Sequence, residues 1–477
     1  MDQLGVLDAA CLYFDRPHAP INASTIWIYD GSSPRKPRPS FQEVCDHVAS
    51  RIDLIPALRK KTLHVPGEID LPWWVDDRYF DLEYHVRHIP LPAPGNWKQF
   101  RDQVARLHSR RLDPTRPLWE LYMIDGLNDV EGIPPNAFAL VFKSHHALVD
   151  GKLIMTITSI LHSDLPPGRK PSVAHIDPTN ELFLKGTALT HGMAGAALQP
   201  LRAVRAIGEL APGISRLRKG RHSTAPTLPA VPMTRFNDTI DSSRVLDTLF
   251  YELETVKKIR KSVPDATIND IVIAIFGGAL RQYLSKHNAL PPAPLRAVAP
   301  VALRDTAASD AIGNKISLMK VNLATDIADP RERLAAICAG TQQAKNSRSD
   351  SGSAAPGNAL DILPKVLWAP GFRAAGLLMG RGLNIGVNTV VSNIPGPKPP
   401  LHIMGCKLIR LTGAGPIVDG MGLINYITSY AGEVGFGYTS CRKLMPDPEY
   451  YSECIDESFR SMCSLIKRPR RARRKSS

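Results

Sequence analysis

The sequence predicts an α/β protein built as two similar-sized halves, and three observations carry that reading. Strand-like and helix-like stretches alternate over residues 1–165 and again over 234–466. The segment between them, 166–233, runs through PPGRKPS, DPTN, GMAGAALQP and TAPTLPAVP, with prolines frequent enough to break any long element, and reads as a crossover linker. At 477 residues the chain has length for roughly three average domains or two larger ones, each with its own core.

The elements follow in order. Residues 23–30 (ASTIWIYD) and 137–142 (AFALVF) are β-branched or apolar runs of strand length, while 97–111 place Phe100, Val104 and Leu107 on one helical face. A short strand is expected at 121–124. In the second half the same patterns predict strands at 245–253, 295–303, 316–323 and 389–391. Helices are expected from 267 to about 284, near 331–344 and over 449–465.

Composition narrows the function classes. Hydrophobic residues make up 43% and charged residues 22%, as in an ordinary globular protein, which excludes disorder for most of the chain. The net charge of +14 is concentrated in two places: residues 467–475 carry +7 and residues 202–221 carry +5, leaving the remainder nearly neutral. A broad basic face for nucleic acid is therefore not expected. The tail 467–477 cannot build a core and reads as disordered. Residues 200–221 suit either a surface-lying helix, through Leu201, Val204, Ile207 and Leu210, or a solvated linker. No window holds 18 consecutive apolar residues, and the opening MDQLGVLDAACLYFDRP lacks a charged start and an apolar signal core, so a cytoplasmic, non-spanning protein is expected. The seven cysteines are scattered without a CxxC pair, which points to free thiols rather than a disulfide framework or a zinc site.

Chemistry is concentrated in Phe142-Lys143-Ser144-His145-His146-Ala147-Leu148-Val149-Asp150-Gly151, directly after an apolar strand. Adjacent strand residues point to opposite faces, so His145 and His146 cannot both face one cavity unless the strand has ended; one is expected to be a base and the other structural. Imidazole suits proton removal near neutral pH, which an alcohol attacking a thioester requires. Asp150 could accept a hydrogen bond from the imidazole or pair with an arginine and brace the loop; the brace is favoured. Gly151 is expected to keep the turn from narrowing the cavity.

This string resembles the signature of the coenzyme A-dependent acyltransferases of the chloramphenicol acetyltransferase type, which include peptide-synthetase condensation domains. Further strings resemble one branch of it, the bacterial wax ester synthase/diacylglycerol acyltransferase family. They are Leu7-Asp8-Ala9, Phe80–Gly95, Pro117-Leu118-Trp119, Asn269-Asp270, Pro300-Val301-Ala302-Leu303-Arg304, Gly313-Asn314-Lys315, Ser392-Asn393-Ile394-Pro395-Gly396-Pro397 and Ser429-Tyr430-Ala431-Gly432. They span nearly the whole folded chain in the expected order. Ser144 departs from the aliphatic residue expected before the histidines.

The resemblance implies two chloramphenicol-acetyltransferase-like domains with mixed sheets and an active site at their interface, reached by acyl-CoA and an acceptor alcohol from opposite ends. It implies that His146 is the general base, supported by His145 and Asp150. It implies acyl-CoA as a co-substrate, with no cofactor or metal, and diacylglycerol as the leading acceptor, with a long-chain alcohol or a catalytically silent lipid carrier as alternatives. Water-insoluble substrates imply contact of the basic tail with an anionic membrane or lipid-droplet surface. Asn269 and Asp270 match the family's Asn-Asp pair without separable roles; locally, Thr267 caps a helix with Asp270 three residues on. Arg304 is a possible partner of Asp150 from charge alone. Trp119 reads as a packing anchor, and Ser392–Pro397 as a rigid turn after a strand.

Overall fold

The computed structural model describes residues 1–32, 37–149, 151–163, 183–193, 231–302, 316–350, 365–381 and 386–466. In the first half the elements are β1 (Asp2–Gln3), α1 (Val6–Phe14), β2 (Asn22–Tyr29), α2 (Phe41–Ala49), β3 (Lys60–Leu63), β4 (Trp73–Asp76), α3 (Leu82–His85), β5 (Val86–Pro90), α4 (Trp97–Ser109), β6 (Trp119–Leu127), β7 (Ala137–His145) and α5 (Gly151–Leu161). Within the expected linker, α6 spans 183–193 and buries Ala188 against Leu63, Val65 and Val75. The prolines of that region flank this helix and do not exclude it. Residues 200–221 and the tail 467–477 lie outside the described residues.

The second half holds β8 (Arg244–Glu252), α7 (Leu253–Ser262), α8 (Ile268–Lys286), β9 (Arg296–Ala302), β10 (Ile316–Asn322), α9 (Pro330–Asp350), α10 (Trp368–Gly380), β11 (Thr389–Pro395), β12 (His402–Ile403), β13 (Cys406–Ala414), β14 (Ile424–Tyr430), β15 (Glu433–Cys441) and α11 (Pro448–Cys463). Two six-stranded mixed sheets form the frame, in the orders β12-β13-β2-β7-β6-β5 and β10-β9-β11-β14-β15-β8. The first sheet is thus completed by two strands from the second half: β13 pairs antiparallel with β2, Leu411 opposite Trp27 and Ala414 opposite Ser24. A boundary at residue 234 divides the sequence but not the first sheet.

The inner strand of that first sheet is β7, whose nine residues are all buried. Its even-numbered residues Phe138, Leu140 and Phe142 enter a cluster with Trp27 and Trp119, and its odd-numbered Ala139 and Val141 face Phe100, Val104 and Leu107 of α4. Helix α4 starts at a capping box, Asn96 with Gln99, and α8 at another, Thr267 with Asp270; each box satisfies two amide groups that a helix start leaves open. Helix α8 is apolar nearly all round because it is buried inside the second core.

Side chains join the two sheets, and also the two halves. Thr248 and Thr412 share a hydrogen bond of 2.8 Å, and the Thr428 hydroxyl donates to the Leu411 carbonyl at 2.9 Å. From α4, the Trp97 indole donates to Asp247 of β8 at 2.8 Å, and Arg101 pairs with the same carboxylate and with Glu449.

Candidate active site

Strand β7 continues three residues past the apolar run, through Lys143, Ser144 and His145, before it turns. Lys143 can be buried there because it meets a partner. Glu120 stands opposite Lys143 on β6, and its Oε2 accepts from the fully buried Lys143 ammonium at 3.0 Å and from the Tyr122 hydroxyl at 2.6 Å. Arg87 lies 3.4 Å from the other carboxylate oxygen. Burial lowers the Lys143 pKa despite the pull of Glu120. Ser144, on the opposite face, is also buried.

His145 is the last strand residue and His146 the first of the turn, so the two rings are released from strict alternation. The backbone holds both in place. The His145 N–H donates to Leu118 at 2.9 Å and the His146 N–H to Ile21 at 2.9 Å, while the His145 carbonyl accepts from Leu148 at 3.0 Å. His145 is 2% exposed, and its Nδ1 accepts from the Ala147 amide at 3.1 Å. A backbone N–H can only donate, so the ring hydrogen of neutral His145 sits on Nε2. That atom faces Asp15 Oδ1 at 3.7 Å, an ion-pair distance beyond a direct hydrogen bond. His146 is only half-buried, which leaves it reachable from solvent.

Asp15 is the C-cap of α1. Its carboxylate accepts from the Ile21 amide at 3.0 Å and from the Arg111 guanidinium. Burial would raise its pKa, but His145, Arg111 and the Ile21 amide outweigh that and hold the group below the usual carboxylate range. The loop that follows reaches the second half: His18 and Arg16 lie 3.1 and 3.7 Å from the same oxygen of Asp419, and Arg244 donates to the His18 carbonyl at 2.9 Å.

On the same sheet face, His108 of α4 bridges the halves. Its Nε2 is 3.1 Å from the Gly415 carbonyl, which can only accept, so Nε2 carries the hydrogen and Nδ1 takes the Ser24 hydroxyl at 2.9 Å. Burial, the nearby charge of Arg244 and that of Lys143 push its pKa down to about 3, against the raising effect of the Gly415 bond, so it is neutral near pH 7.

The other sequence-predicted residues fall into place differently. Gly151 opens α5, and a methyl group built there meets nothing within 4 Å, so the expected steric need for glycine is not found among the described residues. Asp150 and Arg304 lie outside the described residues. Asp270 is 2% exposed and used in structure: one carboxylate oxygen accepts from Thr267, the other from the Thr341 hydroxyl at 2.8 Å. Asn269 is exposed and accepts from Asn393 of β11 at 2.7 Å. Trp119 is an anchor, 1% exposed, its indole donating to Leu58 at 2.7 Å. Ser392–Pro395 belong to β11, paired with β14 through Pro395 and Ser429, rather than to a turn. The turn begins at Gly396, where a Cβ would lie 2.3 Å from the Ser429 carbonyl oxygen. Asp15, Lys143, Glu120 and His108 were not singled out by the sequence, because their partners lie far away along the chain.

Two six-stranded mixed sheets, the first completed by strands from the second half, with a histidine pair at the end of one inner strand, define an acyltransferase of the two-domain chloramphenicol acetyltransferase type. Comparison with known proteins makes the class specific. Residues 4–272 match the wax ester synthase/diacylglycerol acyltransferase catalytic domain, and residues 312–463 match the WS/DGAT C-terminal domain. The chain belongs to the wax ester synthase/diacylglycerol acyltransferase family. It is 30% identical over 477 residues to the probable diacylglycerol O-acyltransferase tgs2 of Mycobacterium tuberculosis, covering 97% of this chain and 99% of that one. It is 32% identical over 432 residues to the O-acyltransferase WSD of Acinetobacter baylyi, covering 87% and 89%. Among solved structures, the wax ester synthase/diacylglycerol acyltransferase of Marinobacter aquaeolei VT8 superposes with a TM-score of 0.69 at 24% identity, covering 97% of this chain and 98% of that one. The trichothecene 15-O-acetyltransferase TRI3 of Fusarium sporotrichioides superposes with 0.57 at 11% identity, covering 96% and 94%, and shares the fold alone. No helix among the described residues is long and apolar enough to cross a membrane.

Proposed function

We propose that the protein transfers a fatty acyl group from acyl-CoA to the hydroxyl of diacylglycerol, with His146 as general base. The observation that carries the reading is the placement of His146: one residue past the strand end, half-buried, its backbone pinned to Ile21, beside a buried histidine whose Nδ1 is held by the Ala147 amide. In the reaction the His146 imidazole takes the hydroxyl proton as the oxygen attacks the thioester carbonyl. The C–O bond forms, the tetrahedral oxyanion collapses, the C–S bond breaks, and the imidazolium returns the proton to the coenzyme A thiolate. No covalent acyl-enzyme is required. His145, with its hydrogen directed at Asp15, is the supporting member of the pair.

Diacylglycerol is preferred over a long-chain alcohol because a relative that matches over nearly its whole length is named a probable diacylglycerol O-acyltransferase. The experiment is acyl transfer from radiolabelled acyl-CoA, with diacylglycerol and hexadecanol offered separately and in competition. The expected product is mainly triacylglycerol. Mainly wax ester would reverse the acceptor assignment, and binding of both substrates without conversion would make the chain a lipid carrier.

A further inference from the structure

We propose that Asp15 is a positioning residue for acyl transfer, facing the first histidine of the pair and anchoring the backbone of the second from outside the motif that contains them. The inference rests on the reading of His146 as the base.

Two routes leave the one carboxylate. The first is direct: Oδ1 faces the hydrogen-bearing Nε2 of His145 at 3.7 Å, while Nδ1 of that ring is held by the Ala147 amide at 3.1 Å. The ring therefore lies between the Asp15 carboxylate and the turn after β7, to which it is hydrogen-bonded, and the turn is what carries His146. The second route passes through one peptide residue. Asp15 accepts the Ile21 N–H at 3.0 Å, and Ile21 in turn accepts the His146 N–H through its carbonyl at 2.9 Å. Shifting Asp15 would move both the neighbour ring and the backbone anchor of the base.

The carboxylate is suited to the task. It is 7% exposed at the end of α1; burial would neutralise it, but His145, the Arg111 guanidinium and the Ile21 amide together hold it below the usual carboxylate range. Beyond it, Arg16 and His18 reach Asp419, which fastens the same loop to the second half. No other carboxylate among the described residues lies within 4 Å of the His145 ring nitrogens. Asp15 does not exchange a proton with substrate in this scheme; it acts through the pair.

The test is a set of variants assayed for kcat, for KM toward acyl-CoA and for melting temperature. Because misplacing a reacting group by about an ångström can cost on the order of a hundredfold, Asp15→Asn is expected to lower kcat about 10- to 100-fold while KM stays within about threefold. Asp15→Glu restores more than half of that loss on a logarithmic scale, since the charge returns. Combined with His146→Ala, the Asp15→Asn change costs less than about twofold further, because its effect passes through a base already removed. Arg111→Gln, which keeps the carboxylate over His145, stays within about fivefold of wild type. The proposal is overturned if Asp15→Asn keeps wild-type kcat, if it costs as much with His146→Ala as without it, or if Arg111→Gln is equally damaging, which would make loop integrity the cause. A His146→Ala protein with full activity would instead refute the base assignment itself, whatever Asp15 does.

Discussion

The two halves share an architecture, each with a six-stranded mixed sheet, yet they bury different chemistry. The inner strands of the first sheet carry Glu120, Lys143 and His145 below a tenth exposure, and every histidine buried among the described residues, His85, His108, His145 and His162, lies in this half. The inner strands of the second sheet bury Thr389, Asn425 and Thr428, neutral groups that pair with one another, with the backbone or with Tyr451. The first half places its buried Lys–Glu pair on inner strands, whereas the charged groups buried in the second, Arg244, Asp247, Asp270, Arg333 and Asp419, lie outside the inner strands of its sheet. The buried histidines all belong to the first half, and they make it the half more sensitive to acid.

The largest effect that would sharpen the contrast is expected at Lys143. Lys143→Met leaves Glu120 buried with its main cationic partner gone, which typically costs about 3–5 kcal/mol, whereas Lys143→Met with Glu120→Leu removes both charges and recovers most of it. Five of the six tryptophans, Trp27, Trp73, Trp74, Trp97 and Trp119, lie in the first half, so the urea midpoint of tryptophan emission reads this half directly. A single variant that loses less than about 1 kcal/mol would mean the pair behaves as a surface salt bridge.

A smaller effect is expected from acid. Burial lowers the His108 pKa to about 3 and the His162 pKa to about 4, the latter ring held neutral between the Tyr29 hydroxyl and the Thr158 carbonyl. Below pH 6.5 the unfolded chain binds protons that these folded rings refuse. Their contribution to stability is therefore complete above about 6.5 and is lost as pH falls toward the folded values, about 2 kcal/mol for each ring at pH 5. Hydrogen exchange at pH 5 should open amides of β2, β6 and β7 before those of β14 and β15. The reverse order would break the comparison.

Much of this frame was legible in the sequence. The apolar run 137–142 marked β7, and the histidine pair after it fell at the strand end. Thr267 and Asp270 announced the start of α8, and the structure uses both residues for that purpose. The apolar run ends at Phe142 whereas the strand runs on to His145, and the cross-strand partner Glu120 explains how Lys143 is buried. The exchange of β13 into the first sheet was invisible, since local alternation fixes a strand but not its neighbour. Asp15 was missed for a related reason: it sits 130 residues from His145, in a loop whose sequence reads as an ordinary helix end.

The central claim, that the His146 ring removes the acceptor proton, is tested most directly by single-turnover transfer in the His146→Ala protein, with acyl-CoA binding measured on the same sample. The account predicts near wild-type affinity for acyl-CoA, an unchanged melting temperature and a transfer rate lower by about a hundredfold to ten-thousandfold. A His146→Ala protein that turns over within about threefold of wild type would contradict it.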